Sequence, residues 1–206
     1  WIVLSLLGFI AKRLEVKRAD YLVSPNILVA LIAFGAPLTF SYGISASFIN
    51  AQLLFATRLG GIMIGISILT FIYSSVKKDK ALKLFWAWPL SFLAIKAVMQ
   101  IVASISPPEL WMSDQGIRIL YLHVLLLGAF TTGMIVYICR DCAIYKKYIN
   151  AVFISISIVL MSLILLTNFW PPSLKGYWIY PVLTISAILP TLSMSLLWKK
   201  INTIRN

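Results

Sequence analysis

Residues 53–83 read LLFATRLGGIMIGISILTFIYSSVKKDKALK. From Leu53 to Val76 this stretch carries one charge, Arg58, and it is then closed by Lys77, Lys78, Lys80 and Lys83. A helix needs about 20 consecutive apolar residues to cross the hydrocarbon core of a bilayer. The stretch therefore predicts a membrane-spanning helix that ends in a basic loop. Basic loops stay on the cytoplasmic side, so this helix is expected to run inward.

Further apolar runs flank it: Trp1–Ala11, Asn26–Ile49, Leu84–Ile105, Ile117–Cys139, Ala151–Phe169 and Trp178–Trp198. Six of the seven runs are long enough to span. Trp1–Ala11 is too short, and it lacks the basic start and small-residue cleavage site of a signal peptide. It reads as the end of a helix that begins earlier. The expectation is an all-α polytopic transmembrane bundle of six full spans plus one partial N-terminal span. Residues 1–206 are expected to form a single transmembrane domain, the C-terminal part of a longer membrane protein.

Composition agrees. The chain is 61% hydrophobic and 12% charged, against about 45–50% and about 25% for an average soluble domain. A soluble fold of this size could not hide that much apolar surface. The charges follow the same plan. Fourteen of the eighteen Lys and Arg fall in alternate loops: Lys12 to Arg18, Lys77 to Lys83, Arg140 to Lys147 and Lys199 to Arg205. The intervening loops hold Lys175 alone. This asymmetry places the C-terminus in the cytoplasm of a bacterial-type inner membrane. The net charge of +12 is confined to short loops. It points to anionic lipid headgroups as partners and excludes nucleic acid.

Helix ends carry ordinary signals. Ser24-Pro25 offers a capping hydroxyl before a first-turn proline. Ser106-Pro107-Pro108 and Trp170-Pro171-Pro172 break the chain between helices, and Ser113-Asp114 suits a helix start. Pro37, Pro181 and Pro190 fall within apolar runs and predict kinks.

Ionisable groups inside membrane helices are costly, at about 2.5–3.5 kcal/mol each on insertion scales, and so mark candidate sites. Lys96 lies near mid-span, with Gln100 one turn on along the same face. It reads either as a buried donor for an anionic or carbonyl ligand or as a lysine satisfied by its neighbours. Arg58 shares a face with Gly61 and Gly65, which permit close helix approach, so it either faces protein or snorkels outward. Arg118 has Asp114 as its i−4 neighbour and reads as a surface ion pair. His123, the only histidine, is either a haem or metal ligand or an interhelical hydrogen-bonding group. Cys139-Arg140-Asp141-Cys142 lacks the second pair that a structural zinc site needs and reads as reduced thiols. No P-loop, Gly-rich dinucleotide motif, nucleophile elbow or zinc-protease motif is present. No Asp or Glu lies deep in a helix, which argues against a proton- or sodium-coupled carrier.

Leu93-Ala94-Ile95-Lys96-Ala97-Val98-Met99-Gln100 and Gly116-Ile117-Arg118-Ile119-Leu120-Tyr121-Leu122-His123, continuing to Gly128, resemble a family of bacterial polytopic membrane proteins. That family is distantly similar to the haem–copper oxidase catalytic-subunit superfamily. The resemblance covers Leu84 to Phe130. It implies His123 as a haem or metal ligand, with Lys96, Gln100 and Arg118 toward haem propionates or a quinone. An oxidase core needs several histidines, so the resemblance does not imply oxidase activity here. Three functions remain open. The first is haem, metal or quinone binding in the outward half of the bundle through His123, Lys96, Gln100 and Arg58. The second is a carrier or channel for a small anion. The third is an assembly or scaffold subunit that meets a membrane-protein partner.

Overall fold

The computed structural model describes residues 2–39, 48, 50–76, 83–108, 110, 114–139 and 142–205, giving backbone only for 83–85, 142–145 and 203–205. Regular structure in these residues is helical throughout. The elements are α1 (Ile2–Arg13), α2 (Pro25–Leu38), α3 (Ala51–Val76), α4 (Lys83–Ile105), α5 (Gln115–Ile138), α6 (Cys142–Leu163) and α7 (Ile179–Arg205). Each falls on one of the apolar runs. Five of them, α3 to α7, are long and apolar enough to cross a membrane. α2 is described for fourteen residues, and the remainder of its apolar run lies mostly outside the described residues.

The local signals explain most of the ends. Asp114 caps α5 by accepting the Ile117 amide at 3.2 Å. Ser24 occupies the cap position of α2 with Pro25 next to it, but its hydroxyl makes no capping bond. Pro181 sits in the first turn of α7, where its missing N–H deprives the helix of nothing. It therefore has no ladder bond to break, contrary to the kink expected from sequence. Pro37 and Pro190 do lie within helices, as does Pro89 in α4. α5 is not uniform. Val124 to Thr131 form a π-helical stretch, in which Gly128 packs onto the Phe92 ring.

Consecutive helices run antiparallel, which gives the bundle two ends. Leu22, following α1, donates its amide to Ser74 near the end of α3. Phe9 of α1 stacks on Tyr137 of α5 at 5.0 Å. The described cations Lys12, Arg13, Lys17, Arg18, Lys146, Lys147, Lys199 and Lys200 belong to this basic end. The opposite end is tied by Asp114, whose second oxygen accepts the Asn168 amide beyond α6 at 2.6 Å.

The core differs between the ends. Toward the basic end it is apolar: Leu6, Ile10, Trp86, Phe153 and Ile149 are buried completely. Toward the other end the α3–α4 contact becomes close and polar. A Cβ on Gly61 would collide with the Ser104 hydroxyl, and one on Gly65 would lie 3.0 Å from the Ala97 carbonyl oxygen. Gly60, on the adjacent face, presses against the Gly35 carbonyl of α2. Two neighbouring glycines thus let α3 meet a helix on each side.

Candidate functional site: a buried Lys–Gln–Tyr cluster

Most buried hydroxyls in the bundle are satisfied within their own helix. Thr57, Ser67, Ser75 and Ser104 each donate to the carbonyl four residues back, at 2.7 to 2.9 Å. Bonds of this kind stay within one helix. Among the side-chain bonds that cross between helices, one joins Ser162 to Ser186, and two converge on Lys96, Gln100 and Tyr121.

Lys96 and Gln100 stand one turn apart on α4, with only 3% and 2% of their surfaces exposed. Lys96 Nζ donates to Gln100 Oε1 at 2.8 Å. It also donates to Tyr121 Oη of α5, and the phenol in turn donates to Gln100 Oε1. Nζ lies 3.9 Å from the centroid of the Tyr121 ring, within the range of a cation–π contact. Three side chains from two helices therefore close a ring of polar contacts inside an apolar bundle. Lys96 is nine residues before the end of α4, and so about 14 Å below it at 1.5 Å per residue. Tyr121 is six residues into α5, at a depth of about 9 Å.

Gly61 completes the wall, since a Cβ there would come within 3.1 Å of Gln100 Nε2. Arg58 lies one turn further toward the same end of α3 and is half-buried. Its Nε is buried without a hydrogen-bond partner among the described residues, and Arg118 Nε is in the same condition. Arg118 is one turn from Tyr121. It does not form the ion pair expected with Asp114. That carboxylate is 4% exposed and spends its oxygens on the Ile117 and Asn168 amides. No described carboxylate pairs with Lys96.

His123 stands apart. It is exposed on α5, two residues past Tyr121 and so roughly 200° around the helix. Its Nδ1 lies 2.8 Å from the Ile119 carbonyl oxygen. An Nδ1–H donated there leaves the Nε2 lone pair as the ring's remaining acceptor, an arrangement met in ligating histidines. His123 cannot share one small ligand with Lys96. No cluster of three or more His, Cys, Asp or Glu suited to a metal occurs among the described residues. Cys139 is buried at the basic end, far from both.

The structure thus joins Lys96 and Gln100, sets Arg58 a turn away on α3 and separates His123. It adds Tyr121 as the member that links α4 to α5. A buried lysine's need for an oxygen acceptor on a facing helix was legible in the sequence, but nothing there singled out Tyr121. No protein family, curated protein or solved structure matches this chain.

Proposed function

We propose that the chain belongs to a multi-pass inner-membrane protein that binds an oxygen-bearing ligand, of the quinone or haem-propionate kind, at the Lys96–Gln100–Tyr121 cluster. In this reading six full spans and one partial span cross the membrane. The basic end and the C-terminus are cytoplasmic, and the cluster occupies the outward half. One observation carries it: a lysine buried at mid-span with neutral partners alone. A group that expensive to bury is retained for what its N–H donors can hold. Swinging the Tyr121 phenol aside would expose Nζ to a carbonyl or carboxylate oxygen, with Arg58 and Arg118 drawing negative charge toward the same end.

A haem would use His123 Nε2 as its ligand and would require its second ligand from outside the described residues. That version favours an assembly subunit, because the histidine faces outward. A small-anion carrier would use the same cations without a cofactor and would show flux in liposomes.

The test is binding of a short-chain benzoquinone to the purified protein, read by quenching of tryptophan emission, together with oxidised and reduced absorption spectra. A hydrogen bond to a charged group is worth about 1.5–3 kcal/mol. Lys96→Met should therefore weaken quinone binding about tenfold or more, whereas Tyr121→Phe, which removes the group the ligand displaces, should not weaken it. Lys96→Met should unfold no earlier than the parent, because a buried cation has been removed. A Soret band lost in His123→Ala would favour the haem version. Quinone affinity unchanged in Lys96→Met, with a flat visible spectrum, would overturn the reading.

A further inference from the structure

Lys96 is 3% exposed, and its described partners, Gln100 Oε1 and the Tyr121 phenol, are both neutral. A lysine in such surroundings has a second use. The same nitrogen donates hydrogen bonds as an ammonium and attacks carbonyl carbon as an amine. We propose that Lys96 is a nucleophile that condenses with an apolar aldehyde drawn from the bilayer, forming an imine at Nζ. The proposal rests on the reading of the cluster as a site that admits an oxygen-bearing ligand.

Imine formation needs an amine, a group that orients it and a proton donor at the carbonyl oxygen. The cluster supplies all three. A lysine in water titrates near about 10.4, so at neutral pH only about one in a few thousand carries the lone pair that attacks. Lysines withdrawn from water into apolar surroundings are the ones used in Schiff-base chemistry. Gln100 Oε1 accepts an Nζ–H at 2.8 Å and so orients the nitrogen. The Tyr121 phenol touches both Nζ and Gln100 Oε1. It is therefore in reach of an oxygen brought up to Nζ.

The step balances without a further reactant. Nζ adds to the carbonyl carbon, and one of its protons passes through the Tyr121 phenol to the carbonyl oxygen, giving a carbinolamine. Tyr121 then protonates the hydroxyl as it leaves and regains a proton from the nitrogen. The products are a neutral imine and one water. The surroundings select the aldehyde. Tyr121 is the half-buried member of the cluster, and Leu122 beside it is exposed. In a membrane-spanning bundle that side meets hydrocarbon, which a long-chain aldehyde enters and a sugar aldehyde does not. Exclusion of water also protects the imine from hydrolysis.

The experiment incubates the purified protein with dodecanal at neutral pH, reduces imines with sodium cyanoborohydride and locates the dodecyl amine by peptide mass spectrometry. Lys96 should be alkylated about tenfold faster, or more, than the exposed Lys146, Lys147 and Lys175. Unfolding in dodecyl sulfate should erase that difference. General acid catalysis contributes about 10²–10⁴-fold, so Tyr121→Phe should slow alkylation of Lys96 about a hundredfold while its quinone affinity is undiminished. Alkylation confined to the exposed lysines overturns the proposal. So does a preference that survives unfolding, or an equal rate in Tyr121→Phe. Quinone titration of the same protein separates the two levels. Binding that depends on Lys96, without alkylation there, refutes the imine alone, whereas absence of both refutes the site.

Discussion

Lys96 is costly where it lies, and the ring of Gln100 and Tyr121 is what makes it tolerable. Sequence identified Lys96 and Gln100 because charge in an apolar run and a four-residue spacing are visible along one helix. It could not identify Tyr121, because the partner comes from another helix 25 residues on, and helix rotation is not written in local pattern. The same limit explains His123. Periodicity placed it in the correct helix, but only packing decides which face turns outward. Tyr21 is a titratable group outside the five long apolar helices. It follows α1, near Phe71 of α3 at 6.0 Å between rings. Burial first, and then the Asp20 carboxylate, hold its phenol above the ordinary value of 10.0. A raised folded value favours the neutral form, so this contribution is full below the unfolded pKa and fades as pH rises through the folded one. Thermal unfolding followed between about pH 8 and 11 should show an alkaline decline that Tyr21→Phe reduces. An identical decline in the variant would show that Tyr21 does not contribute.

At the scale of elements, four of the seven apolar runs, those of α1, α3, α4 and α5, became helices with ends within about a turn of those read from the sequence, since length and hydropathy set a span. α6 instead begins nine residues before its run and ends six before it, α7 continues seven residues beyond its run, and the far part of the α2 run lies mostly outside the described residues. Caps were less legible, as the idle hydroxyl of Ser24 shows beside the working carboxylate of Asp114. The Gly61/Gly65 face was readable as a close-packing surface, and it is the surface that meets α4. Gly61→Val should therefore force α3 away from Ser104 and Gln100. Overpacking costs about 1–3 kcal/mol, and in a chain of this size each kcal/mol is worth about 2–4 °C in Tm. Gly8→Val is the control, because a Cβ there meets nothing within 4 Å. Differential scanning of the two variants should show a fall of several degrees for Gly61→Val alone. Equal shifts would mean that the α3–α4 contact yields.

For the whole molecule the division of charge between the ends makes a directional claim. Lys175 belongs to the end opposite Lys147, and both are exposed. In a background lacking the native cysteines, Lys175→Cys should react with a membrane-impermeant maleimide in intact cells. Lys147→Cys should react only after lysis. The reverse pattern would invert the orientation, and labelling of both in intact cells would refute the spanning arrangement. Alternation of basic loops is a pattern of the whole sequence, which no single helix carries.

The π-helical stretch from Val124 to Thr131 has a consequence for how such a bundle can change. In an ordinary helix each residue advances the face by roughly 100°, so an inserted residue would swing everything beyond it out of contact. A widened turn absorbs the surplus. The segment bearing Tyr121 and the segment bearing Gly133, which receives Leu6 of α1, are thus set to their partners separately, like two dials on one shaft joined by a slipping clutch. Sequence drift on one side of the clutch need not disturb alignment on the other.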